Sequence, residues 1–219
     1  MSTIDIQSYP YPFFAKEGWP FIAISIVVFI ALVLLDLFVG AFLALLLSLF
    51  TFQFFRDPKR DGPKDDSAIT SPADGRVIFI GKCLDPLQNI EALKISVFMN
   101  VFNVHSNRSP IEGTIKSVDY RSGSFFNADL DKASEQNERN SVLFVDKNGR
   151  KLTCTQIAGL VARRICCYVN PGDAVQRGAR FGFIRFGSRV DVYLPVDSRP
   201  LVTVGDKIFA HSTAIANWP

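Results

Sequence analysis

The chain has 219 residues, room for one domain of about 150 residues plus an appendage. Charged residues make up 21% and the net charge is +3, which excludes a disordered or fibrous chain and argues against a nucleic-acid binder. Four cysteines (Cys83, Cys154, Cys166, Cys167) form no CxxC pair, and His105 and His211 are the two histidines, so neither a finger-type zinc site nor a disulfide-stapled extracellular scaffold is expected.

The average hides a split. Ten of the 20 phenylalanines lie in the first 55 residues, and residues 21–55 carry one charge, Asp36. The chain reads as an anchor (1–55), a linker (56–70) and a globular domain (71–219). Before the apolar run come Tyr9, Tyr11, Phe13, Phe14 and Trp19 with three prolines, a composition suited to a membrane-interface belt. Lys16 is the one basic residue there and no small-residue cleavage site follows, so a secretory signal is disfavoured. Phe21–Leu35 and Leu37–Phe55 are apolar. As one straight helix they would run roughly 52 Å, too long for a simple span. A helical hairpin bending near Asp36 and Gly40 fits best, with one tilted span as the alternative. Arg56, Lys59, Arg60 and Lys64 follow directly, and the positive-inside rule puts the globular domain on the cytoplasmic side of the membrane.

After the linker, short apolar or alternating runs predict strands: 76–80, 93–98, 113–118, 142–145, 151–157, 165–169, 181–186 and 190–194. Turn signals separate them at 74–75, 148–149, 171–173 and 205–206. Residues 128–140 read as a short helix or a loop, and 159–164 as a brief helical turn. Residues 172–178 (GDAVQRG) recur as 205–211 (GDKIFAH), a Gly-Asp turn followed by an apolar residue. The expected fold is mainly β (α+β): a barrel-sandwich, lipoyl-like domain behind a hydrophobic helical hairpin. Lys132 and Lys207 sit in no exposed carrier tip, which disfavours a swinging-arm carrier. His211 stands where the first repeat has glycine and is expected to be structural. The cysteines are expected to be small buried hydrophobes.

Three segments concentrate reactive groups. In Ser71-Pro72-Ala73-Asp74-Gly75, Asp74 taken alone reads as a turn residue. In residues 98–113 (FMNVFNVHSNRSPIEG), His105 sits where a strand meets a loop, a usual seat for a general base. In residues 181–195 (FGFIRFGSRVDVYLP), Gly187-Ser188 reads either as a turn between strands or as a backbone bond attacked by its own hydroxyl. Glycine uncovers the carbonyl and tolerates strain. Asp74, His105 and Ser188 could supply orienter, base and nucleophile, though spacing alone does not assemble them.

These segments, in this order and together with FFRDP (54–58), FNADLDKASEQNERN (126–140), QIAGLVARRI (156–165), PGDAVQRGA (171–179) and VGDKIFA (204–210), closely resemble the short bacterial phosphatidylserine decarboxylases, which are pyruvoyl enzymes. The resemblance runs from about Phe54 to the C-terminus; the anchor is similar in character only. It implies an inactive proenzyme cut at Gly187-Ser188, with Ser188 as nucleophile and His105, held by Asp74, as base. The products would be a β chain (1–187) and an α chain (188–219) that starts at a pyruvoyl group made from Ser188, with no metal. The amine of phosphatidylserine would form a Schiff base with that carbonyl, lose CO2 and leave as phosphatidylethanolamine, a carboxy-lyase reaction. Some members carry a second His three residues before His105; here that position is Phe102.

The resemblance further implies substrate contacts at Lys132, Asn137, Arg139 and Arg108, and phosphate binding by Arg163 or Arg164. It places the enzyme on the bacterial inner membrane, with phospholipid as partner; a homodimer stays open. Two other readings remain: decarboxylation of a related serine-headgroup lipid, and a non-enzymatic membrane adaptor on a lipoyl-like barrel. A barrel-fold metallopeptidase is disfavoured, because no HxH or HExxH cluster is present.

Overall fold

The computed structural model describes residues 13–65, 67–125, 136–159, 164–185 and 187–219. The described residues up to Lys59 form one compact unit, and the chain from Arg60 forms another.

The first unit is a helical hairpin. A 3-10 turn (Lys16–Gly18) leads into α1 (Trp19–Leu34), and α2 spans Phe38–Phe54. Both helices are apolar nearly all round, and the hydroxyl side chains inside them turn back on the backbone. Ser25 donates to the Ile22 carbonyl at 2.9 Å, Ser48 to Ala44 at 2.8 Å and Thr51 to Leu47 at 2.8 Å, as a lipid surrounding demands. The bend is at Asp36 alone. Asp36 takes a left-handed φ of 53°, while the Leu37 and Asp36 N–H groups close on the Leu32 and Val33 carbonyls, the pattern of a Schellman cap. Gly40, expected to share the bend, lies inside α2 against Leu32. The two ends are latched together. Ala15 N–H donates to the Phe55 carbonyl at 2.8 Å, Asp57 N–H to the Phe13 carbonyl at 2.6 Å, and the Phe21 and Phe55 rings stack at 5.5 Å. Both ends of the hairpin therefore lie at one end of the unit, which favours the hairpin over a single span. Among the described residues one helical stretch, Lys16–Leu34, is long and apolar enough to cross a membrane; Phe38–Phe54 is shorter.

The second unit is almost all strand: β1 (Ala68–Thr70), β2 (Gly75–Leu84), β3 (Glu91–Met99), β4 (Ser106–Arg108), β5 (Gly113–Arg121), β6 (Arg139–Val145), β7 (Lys151–Ala158), β8 (Ile165–Cys167), β9 (Ala174–Val175), β10 (Arg180–Ile184), β11 (Ser188–Pro195), β12 (Arg199–Pro200), β13 (Lys207–Ile208) and β14 (Ala214–Asn217). The expected mainly-β domain is present, and each expected strand overlaps an observed one. Residues 139–140 open β6 rather than close a helix, while 128–135 and 160–163 lie outside the described residues.

The large sheet runs β13-β2-β3-β11-β7-β6-β5-β9, and smaller sheets run β4-β10-β8 and β1-β14-β12. β11 is buried on both faces. One face puts Val190, Val192 and Leu194 into the core beside Ile95, Val97, Val142 and Cys154. The other carries a buried bidentate pair in which Arg189 donates to Asp191 at 2.8 and 2.9 Å. Each fully buried aliphatic side chain contributes about 1.5–3 kcal/mol, so β11 is held by packing as well as by two ladders.

The strand order reads alike from both ends, and the repeated Gly-Asp turns explain why. Gly205 N–H meets the Val77 carbonyl and Gly172 N–H meets the Ile115 carbonyl, both at 2.8 Å. These glycines hold φ of +100° and +95°, a region open to glycine and strained for other residues. The duplication extends to segments not expected to match. Ser71-Pro72-Ala73-Asp74-Gly75 leads into β2 as Ser109-Pro110-Ile111-Glu112-Gly113 leads into β5, and each serine hydroxyl donates two residues on at 2.7 Å.

His211 keeps the left-handed turn of the repeat, at φ 65°. Its ring lies against Gly62 and Gly178, where a Cβ would come within 2.4 and 2.5 Å of it. Burial, then the charges of Arg108 and Arg177, lowers its pKa below the ordinary 6.5, with Asp61 opposing. The folded state thus resists protonation while the unfolded chain accepts it. That contribution to stability is present above the unfolded pKa and is lost as pH falls through it. His211→Asn keeps a residue tolerant of the left-handed turn and removes the titration. The melting temperature of the parent should fall more steeply than that of the variant between about pH 7.5 and about pH 5.5; parallel slopes would exclude His211 as the source.

All four cysteines are free. Cys154 is buried as expected, but Cys83, Cys166 and Cys167 are only half-buried. Burial pushes the Cys154 and Cys167 thiols up, which keeps them protonated and unreactive.

Candidate active site

Three neighbouring strands of the large sheet break at one level and resume in the sheet β4-β10-β8. β3 gives way to β4 between Met99 and Ser106, β7 to β8 between Ala158 and Ile165, and β10 to β11 between Ile184 and Ser188. The strands keep the same neighbours across the break, with a shift of register. Ser188 stands between Met99 and Ala158, while Ile184 pairs with Ile165 and its N–H reaches the His105 carbonyl at 3.3 Å. Gly187-Ser188 is therefore a peptide in the middle strand, at the edge of the break, with His105 at its far end on one side.

The serine and the glycine play different parts here. Ser188 is buried on the core face of β11, and its hydroxyl points at the Met99 sulfur, 3.4 Å away. Gly187 holds φ +67°, and nothing lies within 4 Å of where its Cβ would be. Its carbonyl, the atom pair a neighbouring hydroxyl would attack, accepts a hydrogen bond from Gly159 N–H at 3.1 Å. A backbone donor at that distance stabilises negative charge growing on the oxygen. Gly159 was not among the expected site residues. The one sequence signal for it was its place after an apolar strand, since every residue but proline carries an N–H.

His105 is buried, and its ring lies 6.4 Å from that of Phe183. Nδ1 meets the Asn103 carbonyl at 2.9 Å. A carbonyl accepts, so Nδ1 carries a proton, and in the neutral form of the ring Nε2 holds the lone pair. The expected orienter was Asp74. The structure seats Asp74 just before β2, beside the end of β3, where Oδ2 accepts from Arg60 at 2.7 Å and Oδ1 from Ala210 N–H at 2.8 Å. The Asp74 carboxylate thus helps to fasten the β2–β13 corner, while His105 Nδ1 meets a backbone carbonyl.

A buried amide chain backs the serine. Asn140 Nδ2 donates to Gln156 Oε1 at 2.9 Å, and Gln156 Nε2 donates to Asn107 Oδ1 at 2.7 Å. Asn107 Nδ2 faces the Met99 sulfur at 3.9 Å, the same sulfur that Ser188 touches. Gly182 leaves the room for Gln156: a Cβ there would sit 2.5 Å from Nε2. Both ends of the Gln156 amide are engaged, which fixes its orientation in the core.

The residues expected to bind substrate are dispersed. Arg108 is buried and donates to the Gly178 carbonyl at 3.2 Å, a contact that braces β4. Asn137 is buried and donates to the Ala158 carbonyl at 2.7 Å. Arg139 is half-buried at the start of β6, opposite Ile157 and Arg121. Lys132 and Arg163 lie outside the described residues, and Arg164 is exposed at the break, its carbonyl accepting from Arg185 N–H at 3.3 Å.

A buried serine follows a left-handed glycine whose carbonyl accepts from a backbone N–H, inside a mainly β domain behind an apolar helical hairpin. The sequence model for phosphatidylserine decarboxylase matches residues 47–216, and the chain belongs to that family. It is 54% identical to the protein of Cupriavidus metallidurans called phosphatidylserine decarboxylase proenzyme, over 96% of this chain and 98% of that one. Proteins of the same name from Burkholderia lata and Paraburkholderia phymatum are also 54% identical over 96% of this chain, covering 98% and 99% of their own length. The likeness thus takes in most of the N-terminal hairpin, which the motifs alone did not reach.

Proposed function

We infer that the chain is a proenzyme that cuts itself at Gly187-Ser188 and then decarboxylates phosphatidylserine to phosphatidylethanolamine. The observation that carries this reading, within a family whose members bear that name, is the Gly187 carbonyl held by Gly159 N–H beside the buried Ser188 hydroxyl. Ser188 Oγ attacks the Gly187 carbonyl carbon. The C–O bond forms, the C–N bond breaks, and the hydroxyl proton passes by way of His105 Nε2 to the freed amine. Removal of the Ser188 Cα proton then breaks the Cβ–Oγ bond, and Gly187 leaves as a carboxylate. The enamine left on residue 188 takes up water and releases ammonia, leaving a keto acyl group.

The residues fit such a pyruvoyl group. Position 188 supplies its three carbons, and the space beside Gly187 is open. Its carbonyl supplies an electron sink to an amine substrate, as a pyridoxal ring does. His105 is the group placed to return a proton to the substrate carbon. Arg164 and Arg185 at the break supply positive charge for the phosphate.

The two products stay together. The α chain brings β11, which is paired on both sides by β3 and β7, together with β13 on β2 and β14 on β1. The hairpin would keep the domain at the bilayer that holds its substrate, and the basic flank at Arg56, Lys59, Arg60 and Lys64 supports a place on the cytoplasmic face of the inner membrane.

The test is the purified chain incubated with phosphatidylserine in detergent micelles. CO2 and phosphatidylethanolamine should appear at equal rates. A folded chain that releases neither sinks the decarboxylase reading.

A further inference from the structure

The peptide unit that holds the scissile carbonyl is itself held. Ala158 C=O and Gly159 N–H belong to one peptide plane and point in opposite directions, because the bond is trans. The N–H end donates to the Gly187 carbonyl at 3.1 Å, and the C=O end accepts from Asn137 Nδ2 at 2.7 Å. Asn137 is fixed in turn. The Ala158 N–H donates to the Glu138 carbonyl at 2.9 Å, and the Glu138 N–H donates to the Ser124 carbonyl at 3.0 Å. Gly123 passes so close that a Cβ there would meet the Gln136 carbonyl oxygen at 2.4 Å. A hydrogen bond accepted at the oxygen of a peptide polarises its N–H and strengthens it as a donor.

We propose that Asn137 is a positioning residue for self-cleavage, pinning the Ala158–Gly159 peptide so that Gly159 N–H serves as the oxyanion donor to the Gly187 carbonyl. The inference rests on the self-cleavage reading above. It gives Asn137 a role on the cut, through the Nδ2 that donates to the Ala158 carbonyl, beside the substrate contact that the resemblance implies. The peptide lies at the end of β7, where the ladder stops and the next residues no longer pair with β11. A carbonyl at such an end has no strand partner to fix it, and the Asn137 amide takes that place.

The experiment follows loss of the uncut chain with time for the parent, Asn137→Ala and Asn137→Asp, each first shown to be folded. Asn137→Ala should cleave about 10- to 100-fold more slowly, the usual scale for losing or misplacing one preorganised donor. Asn137→Asp should be slower still, because a carboxylate oxygen would face the Ala158 carbonyl. A purely structural role would rank the variants by shape, with the near-isosteric Asp ahead of Ala. That order, or cleavage of both variants within about twofold of the parent, overturns the proposal. A parent that does not cleave overturns the self-cleavage reading beneath it.

A second measurement needs no change at Asn137. In the full chain carrying Ser188→Ala, amide exchange by nuclear magnetic resonance should show Gly159 N–H protected, although it follows the last residue of β7. An unprotected Gly159 N–H overturns the proposal.

Discussion

Ser188→Ala should leave a single 219-residue chain with decarboxylase activity at background. The fragments 1–187 and 188–219 should be absent from its mass spectrum, while the parent shows both, the smaller with a pyruvoyl terminus. The effect is total because one residue serves two purposes in the proposed reaction. Ser188 Oγ is its nucleophile, and the carbons of residue 188 are the sole source of the keto acyl group. Stability should barely change. The hydroxyl's partner is the thioether of Met99 at 3.4 Å, and a weak acceptor of that kind makes the bond worth under about 1 kcal/mol. The Val190, Val192 and Leu194 packing of the same strand is untouched. An unchanged melting temperature with a wholly uncut chain therefore separates chemistry from folding. Cleavage of the alanine variant at the same bond would exclude Ser188 as the nucleophile.

Much of this arrangement was legible because it is written in side chains. Alternating runs between Gly, Asn and Asp turns marked the strands, and Gly-Asp at 172 and 205 marked one duplicated corner. Ser188 after a glycine and His105 at a strand end stood out by type and place. What escaped was carried by the backbone. The Gly159 N–H that meets the Gly187 carbonyl and the Asn103 carbonyl that meets His105 Nδ1 have no side-chain signature, so neither contact could be seen. Charged residues gave their type but not their burial. Arg108 reads as a surface cation, and the fold buries it with a hydrogen bond to the Gly178 carbonyl. Asp74 reads as the third member of a triad, and its oxygens also accept from Arg60 and Ala210 N–H, partners that no spacing announced. Gly40 reads as a bend, but Asp36 takes the left-handed position and leaves Gly40 to the helix. The second copy of Ser-Pro-x-acid-Gly was present in the letters. It became meaningful only when both copies were seen to enter matching strands of one sheet.

His105→Gln should fold and should cut about 10²- to 10⁴-fold more slowly than the parent, the range that a positioned general base supplies. Glutamine is the informative replacement. Its amide can still donate to the Asn103 carbonyl, which receives Nδ1 at 2.9 Å, so the local hydrogen bond survives while the basic nitrogen does not. Alanine would add a cavity against Phe183 and confuse the loss of a base with a loss of packing. Hydroxylamine resolves the step, because it cleaves an ester and spares an amide. If His105 takes the proton from the Ser188 hydroxyl, the variant stalls before the ester and stays intact in hydroxylamine. An ester that accumulates, and releases fragment 1–187 on treatment, would move the role of His105 to removal of the Ser188 Cα proton. Cleavage at the parent rate would exclude it from both steps. The neutral tautomer fixed by Asn103 favours the first outcome, since it keeps Nε2 ready to accept without prior loss of a proton.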